Sequence, residues 1–274
     1  MTGQWVPPIV LIFGCLLQAA DTTTCMDKAE ATLTKQEYTE ALVQLRECPD
    51  SSVSMYRIKG IAFHGLYIRD SAAYYLQRAY DHGSRDNDVL IRLAEALLWR
   101  GDSNAAGSVL DEVENKDDIP YKRVRALYHE LTGRFQHALE LYRDILDRKP
   151  EAHYIAYRRA QLLSWMKRLN ESRASYTEFI HTSTIPTSAR RKARVRRAEI
   201  MIWQGELRRA LSELNQVIAE DSTHVRSHLL KARVLERMGK GGQARELYHL
   251  VLEIDPSNAD ATAALMKSET AREK

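Results

Sequence analysis

Glycine and proline are scarce in this chain, 12 and 7 of 274 residues. Strand-like alternation of apolar and polar residues is missing as well, which leaves an all-helical chain as the natural reading. Charge of one sign is also missing: 40 basic and 37 acidic residues give a net +3, so no strong pull toward polyanions follows from charge. No catalytic motif stands out. His129-Glu130 lacks the second histidine of a metalloprotease helix, and Gly239-Lys240-Gly241-Gly242 lacks the spacing and the Lys-Ser/Thr pair of a phosphate loop. No Cys/His cluster has zinc spacing. Regular aromatics do not interleave with the basic residues, which argues against nucleic acid. The expectations are therefore no cofactor, no metal and no enzymatic activity.

Long hydrophobic runs are absent with one exception. Residues 5–20, WVPPIVLIFGCLLQAA, are apolar and are followed by the polar DTTT. The run is too short to span a bilayer. It fits a secretory signal peptide over residues 1–20, with Ala19 and Ala20 at the cleavage site and a mature chain beginning near Ala20 or Asp21. A buried cap helix and an uncleaved anchor are the alternatives. Ile12-Phe13-Gly14-Cys15 loosely resembles a bacterial lipoprotein box, and membrane contact is expected only if Cys15 is lipidated.

What the chain does contain is self-similarity. Val225–Pro256 reads VRSHLLKARVLERMGKGGQARELYHLVLEIDP: two apolar helical stripes around a glycine turn, with small residues at Ala232 and Ala244. Sliding back 34 residues puts Ala198, Gly205 and Ala210 in the same slots. Such a period means stacked helical hairpins. Alignment on the small residues gives units 22–52, 53–86, 87–118, 119–152, 153–190, 191–224 and 225–258, then a capping helix over 259–274. Between the fifth and sixth units four extra residues interrupt the period, and Thr182–Ser188 with Pro186 reads as a loop. Slots 8 and 20 of each unit fall where the two helices cross, so only Gly, Ala or Ser allows the backbones to approach.

This layout resembles the tetratricopeptide repeat (TPR), which has small residues at slots 8 and 20 and a proline near slot 32. The resemblance implies a right-handed α-solenoid of about seven hairpins over residues 21–274. It also implies a concave groove lined by slots 2, 5, 9, 12 and 13. Carried over, the candidate partner-binding residues are Trp99, Trp165, Trp203, Tyr154, Tyr157, Arg123, Arg226 and Arg233. Cys25 and Cys48 fall at slots 4 and 27 of the first unit, which face each other across antiparallel helices. A disulfide is expected there in an oxidising compartment.

Two further patterns stand out. Slot 7, usually leucine in such repeats, is Lys59, Arg125, Arg159, Arg197 and Lys231, and Arg190–Arg197 is a local basic run. Either the aliphatic stems fill the leucine's place while the heads pair with carboxylates, or the column attracts an anionic partner. Three of the four tryptophans share slot 13: LLWRGD, LSWMKR and MIWQGE. Each indole either packs over the turn or lines the groove as an anchor. The phrase Leu-x-Trp-x-Gly resembles the periplasmic TPR arms of bacterial exopolysaccharide and outer-membrane export proteins. The sequence therefore reads as an exported scaffold, in a bacterial periplasm and possibly associated with the outer membrane. It takes a protein or peptide in its groove, with polysaccharide binding as the alternative.

Overall fold

A computed structural model of the chain describes residues 25–46, 48 and 52–270. The apolar run, its cleavage site and Cys15 lie outside the described residues. Among those described, fifteen helices and no strand occur. They follow in pairs: α1 (25–34) and α2 (Tyr38–Gln44), α3 (Val53–Gly65) and α4 (Arg69–Asp81), α5 (Asn87–Trp99) and α6 (Ser103–Asp111), α7 (Ile119–Leu131) and α8 (Phe135–Arg148), α9 (His153–Trp165) and α10 (Leu169–His181), α11 (Thr187–Trp203) and α12 (Leu207–Glu220), α13 (Val225–Arg237) and α14 (Gly241–Ile254). The helix α15 (Ala259–Thr270) follows unpaired. The described helices form two compact units, one up to Leu141 and the other from Tyr142, divided within α8.

The small-residue slots make the hairpins. Ala29, Ala94, Ala126, Ala160, Ala198 and Ala232 at slot 8 are fully buried, as are Ala41, Ala72, Ala106, Ala138, Ser172 and Ala210 at slot 20. Ser172 shows how close the backbones come, because its Oγ donates to the carbonyl of Ala160 at 2.6 Å. The Asn170-Glu171-Ser172 sequon is thereby folded into a packing contact, and Asn170 itself accepts from Gln204. Larger residues at slots 24 and 27 then fill most hairpins: Leu110 with Val113, Tyr176 with Phe179, Leu214 with Val217, and Tyr248 with Val251 are all buried, while Leu76 is paired with the smaller Ala79.

Each turn is closed by one residue with a left-handed backbone. Gly101, Gly133, Gly205 and Gly239 occupy this position in four hairpins, and Gln36, Tyr67 and Lys167 occupy it in the other three. Helix starts are held by side-chain caps where the sequence supplies them, as at Ser52, Asp102 and His224.

Two local expectations need correction. The stretch after Ile180 is not a loop up to Ser188: Pro186 stops the loop and α11 begins at Thr187. The extra residues thus lengthen a first helix to 17 residues, against 13 in α9. Proline suits a helix start, because its fixed φ and missing N–H carry no penalty there. Buried Ile185 pins the short loop, and Arg190 donates back to its carbonyl. Likewise Cys48 does not sit on a helix, since α2 ends at Gln44 with Leu45 as its cap. The disulfide to Cys25 nevertheless forms, with Cα atoms 6.0 Å apart. Closing a loop of this length is worth about 3 kcal/mol in the chain-entropy model.

Gly60 is the one slot-8 glycine. A Cβ there would lie 2.7 Å from Leu76 Cγ and 2.9 Å from the Leu76 backbone nitrogen. Gly60→Ala is therefore expected to lower the stability of the first unit by about 1–3 kcal/mol, the usual cost of overpacking. Chemical denaturation checks this, and an unchanged midpoint would contradict the close-approach account.

Candidate partner-binding site

Successive first helices are joined by ion pairs that recur with the repeat. In the first unit, Glu30 on α1 pairs with Arg57 on α3. Buried Glu95 on α5 accepts two hydrogen bonds of 2.6 Å from the Arg123 guanidinium on α7. His64 Nε2 on α3 lies 3.2 Å from the same carboxylate. In the second unit, Glu199 on α11 accepts from Arg226 on α13 at 2.7 and 3.1 Å and from Arg196 at 2.9 Å. The polarity reverses at the end of the stack, where Arg233 on α13 meets Asp260 on α15 at 3.0 Å. Arg123, Arg226 and Arg233, picked out from the sequence as partner-binding, thus each bridge to a neighbouring helix. A bidentate arginine–carboxylate pair at a buried position fixes geometry as well as adding energy.

The slot-7 column is built the same way. Arg125 pairs with Asp111 at 2.9 Å, Arg159 with Glu178 at 3.4 Å and Arg197 with Glu213 at 2.5 Å, while the Lys59 ammonium lies over the Tyr75 ring. The stems replace the leucine, and the heads reach carboxylates or an aromatic ring of a second helix, as the snorkelling reading expects. The Arg190–Arg197 run is similarly committed: Arg191 to Asp221, Arg194 to Glu213 and Arg196 to Glu199.

The three tryptophans occupy different surroundings. Trp99 is partly buried and stacks on His64 at 4.9 Å, with the Arg69 guanidinium 5.2 Å from its ring centre. Trp165 and Trp203 are 48% and 56% exposed. Each carries a cation near its ring: Arg158 lies 5.7 Å from Trp165, and the Lys167 ammonium 5.6 Å from Trp203. Such cation–ring contacts contribute about 0.5–1 kcal/mol at exposed sites. Slot 13 is therefore structural in the first unit and solvent-facing at both of its tryptophans in the second. The cationic partners Arg69, Arg158 and Lys167 were not picked out from the sequence. Lys167 did leave a signal, because it stands where four other hairpins have glycine.

The second unit also has a cleft across three first helices. It is lined by Tyr157 of α9, by Lys192, Val195, Arg196 and Glu199 of α11, and by His224 and Arg226 at the start of α13. Tyr157 packs edge-on against Tyr176 and Phe179 at 5.5 and 5.7 Å, so its ring forms a fixed wall. Tyr154, nearly one turn earlier, is 61% exposed. The structure thus gathers Tyr157 and Arg226, puts Trp165 and Trp203 on two of the same helices, and places Trp99 and Arg123 in the other unit.

Helical hairpins with small crossing residues, left-handed turns and ion-paired first helices define an α-solenoid. The sequence model of the tetratricopeptide repeat matches residues 201–268, and the fold of the described hairpins is that of TPR solenoids. The C-terminal part of a TPR repeat-containing protein from Cytophaga hutchinsonii is 13% identical, with TM-score 0.61 over 88% of this chain and 99% of that one. YrrB, described as a TPR protein with an unusual peptide-binding site, is 15% identical, with TM-score 0.54 over 71% of this chain and all of that one. The APC/C hetero-tetramer Cut9–Hcn1 is 12% identical, with TM-score 0.62 over 90% of this chain and 47% of that one. At these identities the likeness shows the fold. Comparison with curated proteins finds no match.

Two buried groups in the first unit make stability depend on pH. Burial favours the neutral acid of Glu95, yet Arg123 and His64 outweigh it and hold its carboxyl at about 2, against 4.5 ordinarily. Burial pushes the His129 imidazole down to about 4 from 6.5, helped by Arg125, His137 and Arg134. In both cases the unfolded chain takes up the proton first as pH falls. The His129 contribution is therefore complete above pH 6.5 and lost toward 4, and the Glu95 contribution is complete above 4.5 and lost toward 2. Each is worth up to about 3 kcal/mol. His129→Gln should flatten the stability profile between pH 6.5 and 4, and Glu95→Gln should flatten it below 4.5. Unfolding midpoints across pH check both, and unchanged slopes would refute the assignment.

Proposed function

We propose that this protein is an exported interaction scaffold that holds an extended segment of a partner protein. The segment lies on the first-helix face of the second unit, with Trp165 and Trp203 as anchors. The observation that carries the reading is the half-exposure of two indoles at one slot of successive first helices, each already braced by a cation. Large rings left facing water at equivalent positions are unusual in a chain with four tryptophans, and rigid aromatics dominate binding hot spots. The peptide-binding site in the description of YrrB makes a peptide the first partner class to test. Export is supported by the Cys25–Cys48 bond, because such bonds persist in oxidising compartments, together with the apolar run at residues 5–20.

Trp165→Ala combined with Trp203→Ala tests the reading by pull-down from the exported fraction. Indoles exposed to this degree should be removable with little change in melting, while partner capture falls at least about tenfold, the loss of a modest hot spot. A destabilised double variant that still captures the partner once folded would end the reading. If capture is lost, competition by a soluble oligosaccharide separates a glycan, the other ligand suggested by the sequence, from a protein.

A further inference from the structure

We infer that the α9–α11–α13 cleft binds the carboxylates of an acidic peptide segment, with Lys192 as the cation that meets them. This rests on the scaffold reading above and names the chemistry of its partner. Lys192, Arg196 and Arg226 line the cleft, against Glu199 as its one carboxylate. Glu199 is only 5% exposed and already accepts from both arginines, so its charge is spent inside the wall. Arg191, Arg194, Arg196 and Arg197 around Lys192 each have a carboxylate partner, whereas Lys192 makes no ion pair among the described residues. The arginine side chains remain 46% and 48% exposed, within reach of a ligand. A carboxylate set between Lys192 and Arg226 would gain charge-assisted hydrogen bonds over the apolar wall of Tyr157 and Val195.

The spacing on the two helices refines the partner. Tyr157 precedes Trp165 by eight residues on α9, and Lys192 precedes Trp203 by eleven on α11. These offsets correspond to roughly 12–16 Å along a helix. An extended chain covers that distance in about four or five residues. The segment therefore carries acidic residues about four or five positions from an apolar or aromatic side chain.

Fluorescence anisotropy with a labelled tetraglutamate peptide tests this, using the full chain at low salt. Wild type should bind tetraglutamate and ignore labelled tetraglutamine. Lys192→Glu should weaken binding about tenfold, by removing one attraction and adding one repulsion. Lys192 is exposed on α11, and glutamate is as good a helix former as lysine, so melting should be unchanged. Failure of wild type to bind tetraglutamate, or retained affinity in Lys192→Glu, would overturn the inference. So would inorganic phosphate displacing the labelled peptide as effectively as free tetraglutamate, which would mark a general anion site. If tetraglutamate fails while tryptophan-dependent capture of the partner persists, this inference falls alone. If both fail, the scaffold reading falls with it.

Discussion

The close approach of two helix backbones at slots 8 and 20 is the constraint on which the rest depends. It requires a side chain no larger than that of serine, and every described hairpin meets it with Ala, Gly or Ser. Once the backbones touch, slots 24 and 27 have a fixed volume to fill, and the turn must reverse within two or three residues. The reversal requires one left-handed residue. Tyr67 and Lys167 accept that conformation without being glycine, at a cost of about 1 kcal/mol or more. At Lys167 the cost has a visible return, since its ammonium reaches the Trp203 ring.

Charge is used in two ways that look alike in the sequence. One set builds the stack: Glu30–Arg57 joins α1 to α3, Glu95–Arg123 joins α5 to α7, Glu199–Arg226 joins α11 to α13, and Arg233–Asp260 joins α13 to α15. The slot-7 arginines tie first helices to second helices. In the cleft of the second unit, Lys192 and the solvent side of Arg226 leave a small cationic surplus. The +3 net charge of the chain therefore hides a local polarity that its composition could not reveal.

The repeat was legible from sequence because backbone contact leaves almost no choice at slots 8 and 20. The disulfide was legible because two cysteines fall in one short hairpin, although Cys48 lies past the end of α2 rather than at a facing helical slot. The pairing of charges was not legible. Arg123 and Arg226 look like groove residues by slot, and only three-dimensional placement reveals the carboxylates of Glu95 and Glu199 beside them. The three tryptophans were equivalent by slot, yet His64 covers Trp99 while Trp165 and Trp203 stay half open. The helical start of the inserted segment was missed because Thr187 and Ser188 look like loop residues, although the preceding proline sets up a helix.

The central claim is that partner binding belongs to the first helices of the second unit and their two exposed indoles. Its most direct measurement is nitrogen-15 chemical-shift mapping with a peptide carrying four glutamates five residues from a leucine. The account predicts shifts at the Trp165 and Trp203 indole N–H groups and along α9, α11 and α13, with α10, α12 and α14 nearly silent. Shifts concentrated on those second helices, with both indoles unmoved, would contradict it.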